Sequence, residues 1–358
     1  MIVREIKLKL NKKQLEDFES YLWKLTGLYN FVSRKIQLDA KDKRYHSCFE
    51  LQNLLSGHAK RIGIQSQVFQ ATIKQACTAW ERCFKKLAKR PKLKGVHNKL
   101  RSFTFPQFDN KNLFERKIKL PKLGAIRYHK RTLPQGKIKV VRIVKKASGW
   151  YAQLTIDAKH VFPVKKTEDA VGIDTGFKNL AILSNGIKYE NHRNYVNGQK
   201  RLAQAQRGNN KKLVARLHER IANRRKDHNH KVSREIVENY QKIAITNDNL
   251  RGQSKIFGKS VSDAGISQLR NYILYKGESH NREIQLVDSK YTTMTCGNCG
   301  QRTGPTGLSG LAVRKWECSD CGSVLDRDVN AANVILAFGF GMNLGLGEFL
   351  PATGSLVL

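Results

Sequence analysis

Two cysteine pairs, Cys296-Gly297-Asn298-Cys299 and Cys318-Ser319-Asp320-Cys321, bracket 18 residues. That spacing lies within the usual window for a loop folded around a tetrahedral, four-thiolate zinc ion, the alternative being a redox dithiol pair. Four sulfurs leave no open coordination position for water, so the zinc is expected to be structural, holding a segment too small to have a core of its own. Cys48, Cys77 and Cys83 are scattered through a helical region and read as core fillers. An odd cysteine count argues against a disulfide framework. Lys290, Arg302, Arg314 and Lys315 flank the cysteines and suit either nucleic-acid contact or a solvated surface.

Charge sets the partner class. Lys and Arg number 66 against 29 Asp and Glu, a formal +37 over 358 residues, and the excess runs along the whole length. Distributed positive charge on a folded chain is what phosphate neutralisation and counterion release require. A nucleic acid is the expected partner, and a small-molecule substrate is not. No apolar run approaches the roughly 20 residues of a membrane-spanning helix, and Met1-Ile2-Val3-Arg4-Glu5-Ile6-Lys7 lacks the apolar core of a signal peptide. The expected location is the cytoplasm, with no membrane partner.

The periodicities predict a multidomain α+β chain. Residues 1–10 alternate at period two, as an opening strand does, and 12–89 carry apolar residues at helical spacing, enough for three or four helices with a break near 39–44. Strands are predicted at 102–105, 117–120, 137–144 and 150–156. A polar connector at 165–169 leads to strands within 170–184 and 187–189, long helices over 201–240, a buried strand at 243–246, a helix over 260–275 and a strand at 284–287. A last helix is expected over 330–338, and residues 341–358 form a Gly-rich apolar tail. Trp23, Tyr29, Phe31, Trp80, Phe84, Trp150 and Trp316 are expected mostly in cores, not stacked on bases.

Three stretches carry chemistry. Gly172-Ile173-Asp174-Thr175-Gly176 places an Asp at the end of a buried strand, and Asp326-Arg327-Asp328-Val329-Asn330-Ala331-Ala332 places another at a helix start. Two-metal phosphodiester hydrolysis needs several hard oxygen ligands, and Asp174 and Asp328 could anchor one Mg ion. Asp174 and Asp326, taken singly, also suit a turn or a helix cap. The strand 243–246 ends in Thr246, a neutral hydroxyl, while Asp248 lies two residues on, on the same strand face and displaced by roughly 6 to 7 Å. Lys211, Lys212, Arg216, Arg220, Arg224, Arg225 and Lys226 crowd one helix with only Glu219 against them, which suits phosphate-backbone contact.

These residues together resemble the TnpB family, encoded by insertion sequences and ancestral to type V CRISPR effectors. The resemblance is carried by Gly-Ile-Asp-Thr-Gly-Phe-Lys-Asn-Leu-Ala from Gly172, the basic stretch 217–227, the paired Cys-x-x-Cys motif and the Asp-Arg-Asp-Val-Asn-Ala-Ala ending. It implies a wedge-like β-barrel (1–10 and 96–165) with an inserted helical recognition lobe (11–95). A RuvC-like ribonuclease-H fold (166–290 and 325–340) would follow, interrupted by a zinc ribbon (291–324). It also implies a guide RNA and a double-stranded DNA target bearing a short flanking motif. In active members the three acidic ligands would fall at Asp174, at the end of strand 243–245 and at Asp328; here Thr246 takes the middle place, so two-metal catalysis is expected to fail. The resemblance is closest to the nuclease-dead, TnpB-like repressors called TldR. The leading expectation is therefore an RNA-guided, non-cleaving transcriptional repressor. The rivals are an active Mg-dependent endonuclease using Asp174, Asp248 and Asp328, and a decayed transposon remnant.

Overall fold

A computed structural model of the protein describes residues 1–158, 167–248, 250–307, 309–342 and 344, the side chains of 251, 253–257 and 311 excepted. The expected connector falls partly, and the expected tail mostly, outside these residues. The chain divides into two compact units, 1–159 and 160–358.

In the first unit, β1 (Ile2–Lys9) is followed by four helices: α1 (Lys12–Lys41), α2 (Cys48–Leu54), α3 (His58–Arg61) and α4 (Ser66–Phe84). Asn11 and Ser47 start α1 and α2 with reciprocal capping boxes, in which Gln14 and Glu50 reach back to the cap backbone. Strands β2 (Ser102–Phe105), β3 (Lys117–Leu120), β4 (Gly124–Tyr128), β5 (Lys137–Lys146) and β6 (Gly149–Asp157) complete an antiparallel sheet in the order β2-β5-β6-β1-β4-β3. The opening strand thus joins the later strands with the helices inserted between, as expected. Strand β4 is not among the expected strands; left-handed backbone at Lys122 and Gly124 turns the chain back on β3 within a few residues. Phe18 of α1 packs edge-on against Trp150 at 5.0 Å and Phe103 at 5.9 Å, joining helix and sheet in one core.

Cys77 fills that core, with Cys48 packed beside it. Trp80, Trp150, Tyr29 and Trp316 are buried, but Trp23, Phe31 and Phe84 are about half exposed, against expectation. Leu22, Leu25 and Tyr29 define the buried stripe of α1, and at 100° per residue Trp23 is carried off it.

The second unit holds a five-stranded sheet in the order β11-β10-β7-β8-β9, built from β7 (Ala170–Thr175), β8 (Asn179–Leu183), β9 (Lys188–Glu190), β10 (Lys242–Thr246) and β11 (Glu283–Val287). Strands β7, β10 and β11 are parallel, with β7 and β10 mostly buried and β11 a largely exposed edge, whereas β7, β8 and β9 form an antiparallel meander. The helices are α5 (Asn194–Arg207), α6 (Lys211–Asn239), α7 (Leu250–Ala264), α8 (Ile266–Ser279) and α9 (Arg327–Phe340). The single helix expected over 260–275 is two, because Gly265 takes a left-handed conformation at φ 68°. The last helix begins at Arg327 instead of 330, because Asp326 caps it. Among the described residues no helix is long and apolar enough to cross a membrane.

Candidate functional site

The site is built by a close approach between β7 and α9. Gly172 faces Ala332, and a Cβ placed on Gly172 would lie 1.9 Å from the Ala332 carbonyl oxygen. Two residues up the strand is a rise of about 6.6 Å, and one turn back along the helix is about 6 Å. The same contact therefore brings Asp174 level with Asp328. Both line one cleft of about 630 Å³, with Thr175, Lys178, Asp248, Lys259, Arg314 and Arg327 among its walls.

Strand β10 delivers the third acidic residue. Thr246 is fully buried. The chain then turns, with the Leu250 N–H donating to the Asp248 carbonyl at 2.9 Å, and the Asp248 carboxylate comes back over the strand end. Its Oδ2 lies 3.1 Å from the Thr175 hydroxyl and 3.2 Å from the Thr246 hydroxyl, and the two hydroxyls are 3.0 Å apart. Asp248 thus enters the cleft that holds Asp174 and Asp328, and Thr246 and Thr175 act as hydroxyl props for it.

Burial pushes the Asp174 carboxyl up to about 8, and the neighbouring Asp328 and Asp248 charges push the same way, opposed by Arg327 and a backbone hydrogen bond. Asp328 has its own counter-charges: Arg327 donates to Oδ1 through Nε at 3.0 Å and Nη2 at 2.8 Å, and Arg314 donates to Oδ2 at 3.2 Å. Asp326 is a structural neighbour, accepting the Asp328 and Val329 N–H groups at 3.1 Å each and an ion pair from Lys188 at 3.0 Å. Of Asp174 and Asp326, the two acids for which a turn or cap role is the alternative, Asp326 is the helix cap. Carboxylates are the donors that Mg ions take. Among the described residues, Asp174, Asp248 and Asp328 do not bring one oxygen each within 4.8 Å of the others, and Asp328 is turned toward its guanidinium partners.

The four cysteines are the set among the described residues whose ligand atoms all lie within 4.8 Å of one another. Cys296 and Cys321 sulfurs are 3.7 Å apart, and Cys299 and Cys318 are 3.6 Å apart. Zn–S bonds of about 2.3 Å in a tetrahedron put the sulfurs about 3.8 Å apart, so the cage fits zinc. Each pair ends in a glycine with left-handed backbone, Gly300 and Gly322, whose N–H returns to the Cys296 or Cys318 carbonyl. The four-residue turn so formed aims both thiols inward. Strands β12 (Lys315–Glu317) and β13 (Val324–Asp326) lead from this module straight into α9.

Of the basic residues, Lys211, Lys212, Arg216, Arg220, Arg224 and Lys226 are exposed on α6. Arg225 is not a free contact: its Nη1 donates to the Ser262 carbonyl at 2.5 Å and its side chain packs on Gly265. Residues to which sequence reasoning gave no role in the cleft are Arg327, Thr175, Asp263 and Asn330, while Arg314, expected as a nucleic-acid contact or solvated surface, pairs with Asp328. Asp263 lines the cleft but is held by the Tyr195 and Val196 N–H groups at the start of α5. The only sequence signal for Arg327 and Asn330 is their place inside the acidic motif.

The geometry thus joins an acidic cleft to a four-cysteine module. Residues 153–256 match the OrfB family of IS605 elements, described as "Probable transposase", and 267–335 match the Cas12f1-like TNB domain. A candidate RNA-guided DNA endonuclease of Streptomyces pristinaespiralis is 34% identical over 296 residues, covering 77% of this chain and 72% of its own. The candidate RNA-guided DNA endonuclease InsQ of Escherichia coli (strain K12) is 29% identical over 316 residues, covering 80% of this chain and 77% of its own. A Cas12f1 chain solved by cryo-EM with sgRNA and target DNA covers 94% of this chain and 99% of its own at 16% identity and TM-score 0.39, too loose to bear on the fold. The chain belongs to the TnpB/OrfB family.

Proposed function

We propose that this chain is directed by a guide RNA to double-stranded DNA beside a short flanking motif, and that its cleft is a RuvC-type divalent-metal centre formed by Asp174, Asp248 and Asp328. The observation that carries this reading is the Asp248 carboxylate, which turns back past Thr246 to join Asp174 and Asp328 in one cleft. The strand order β11-β10-β7-β8-β9, an antiparallel meander flanked by parallel strands, supports the ribonuclease-H reading, and Asp174 and Asp248 sit at the carboxyl ends of the parallel strands β7 and β10, with Asp328 on the first turn of α9. Family membership supports RNA-guided DNA binding, and the excess of 66 basic over 29 acidic residues supplies the field for it. With Mg bound, such a centre activates water and stabilises the leaving oxygen; the protein's own part is to fix the carboxylates and exclude bulk water.

The non-cleaving repressor is the second reading. It is favoured by Thr246, the neutral residue at the strand end, and by the two guanidinium groups on Asp328 that compete with a metal. Incubation of the purified protein, with its co-purified RNA, Mg and a matched duplex, separates the two. Cuts that vanish in Asp174→Ala and Asp248→Asn support the nuclease. Tight, guide-dependent binding without cuts supports the repressor and removes Asp248 as a functional ligand.

A further inference from the structure

The cysteine module grips the first turn of α9 from both of its arms. Asn330, buried in α9, accepts the Gly297 N–H on Oδ1 at 2.7 Å and donates its Nδ2 to the Thr295 carbonyl at 2.7 Å. These backbone groups flank Cys296, so one carboxamide clamps the first Cys-x-x-Cys turn. Gly297 has little room for a side chain, since a Cβ there would lie 2.9 Å from Asn330 Oδ1. From the other arm, the Arg314 carbonyl accepts the Arg327 N–H at 2.8 Å, Arg314 Nη1 reaches Asp328, and Arg327 Nη1 donates to the Gly310 carbonyl at 2.8 Å. Asp328 lies between these anchors.

We propose that Asn330 is a positioning residue through which the zinc-held fold of the cysteine module fixes the first turn of α9, and with it the reach of Asp328 into the acidic cleft. The inference rests on the reading of that cleft as a divalent-metal centre and adds the residue that couples it to the zinc. The module's own core is a small cluster around Cys296, Trp316 and Cys318, so without zinc the backbone groups that Asn330 holds lose their fixed geometry. A buried carboxamide with both halves engaged tolerates that poorly. Loss of a partner that orients a ligand lowers metal affinity about 10- to 100-fold.

The test uses the full-length, zinc-loaded protein with three readouts: cobalt-thiolate absorption for the cysteine cage, hydrogen exchange at residues 327–332, and Mn binding by electron paramagnetic resonance with Asp174→Asn as the control. Asn330→Ala and Gly297→Ala touch neither a sulfur nor a carboxylate. Both are expected to keep the cobalt-thiolate band, to exchange faster at 327–332 and to bind Mn about 10- to 100-fold more weakly. Asn330→Asp keeps the acceptor for Gly297 but sets a carboxylate oxygen against the Thr295 carbonyl, so it should be impaired at least as much as Asn330→Ala. Unchanged exchange and unchanged Mn affinity in Asn330→Ala would overturn the proposal. If the wild type binds Mn no better than Asp174→Asn, the metal-centre reading fails, and exchange alone decides: acceleration at 327–332 in the variants and on zinc chelation sustains the coupling, and its absence defeats it. Should Asn330→Ala not fold, Gly297→Ala and zinc chelation of the wild type decide in its place.

Discussion

Gly172 and Ala332 touch backbone to backbone: the missing Cβ of Gly172 is the space that the Ala332 carbonyl occupies. This contact, two residues from Asp174 and one helical turn from Asp328, sets the separation of the two acids. Gly172→Ala forces strand and helix apart in a packed core, and overpacking of this kind costs about 1 to 3 kcal/mol or more. The expected outcome is a lower unfolding midpoint together with weaker Mn binding, read by thermal denaturation and by metal titration of the same sample. A variant with normal stability and normal Mn affinity would show that the contact does not position the acids.

The middle acid is tested by exchange of roles. Asp248→Asn removes the carboxylate that joins the cleft while keeping its acceptor oxygen for the Thr175 and Thr246 hydroxyls. On the nuclease reading, guided cleavage falls by at least the roughly hundredfold that even a 1 Å misplacement can cost. Thr246→Glu in that background restores a carboxylate at the strand end and recovers part of the activity. Cleavage indifferent to both changes would remove position 248 from the chemistry.

Metal binding should depend on pH through Asp174. Its folded-state carboxyl is raised from 3.8 to about 8, so between these values the folded chain holds a proton that the unfolded chain has released. Protonation there favours the folded state: the contribution is complete below about pH 4 and is lost as pH rises through 8. Divalent ions bind the deprotonated acid, so Mn affinity is expected to rise about tenfold per pH unit from 6 to 8 and level off above. Titrations at four pH values check this, and Asp174→Asn should flatten the slope.

One zinc per chain is expected from the four-thiolate cage. Ser323 holds the Cys321 thiol near 6 by hydrogen bonding, which favours the thiolate that zinc requires. Cys318→Ser should abolish the zinc signal in elemental analysis and make 295–326 sensitive to protease, while the first unit keeps its unfolding transition. Stoichiometric zinc in that variant would exclude the cage.

The exposed face of α6 makes a prediction about salt. If Arg216 and Arg220 each meet a phosphate, Arg216→Ala with Arg220→Ala should lower the log-log salt dependence of duplex affinity by about 0.9 per contact. Arg225→Ala should instead destabilise the α7–α8 junction, because it is tied to Ser262. Binding measured from 50 to 300 mM salt, alongside a melting curve, tells the two effects apart.

Local pattern determined a good deal. Period-two alternation in 2–9, the apolar runs at 170–175 and 242–246, and the cysteine spacing predict the strands and the zinc cage, since each reports which face of an element is buried or which ligands a loop presents. What tertiary structure decided lies where the chain leaves its regular element. A strand's alternation gives no direction to a side chain beyond its end, so the aim of Asp248 follows from hydroxyls on two different strands. The Arg314 guanidinium on Asp328 and the clamp made by Asn330 likewise depend on segments apart in sequence. Periodicity records a residue's face, whereas its partner is chosen by packing between segments that sequence alone does not bring together.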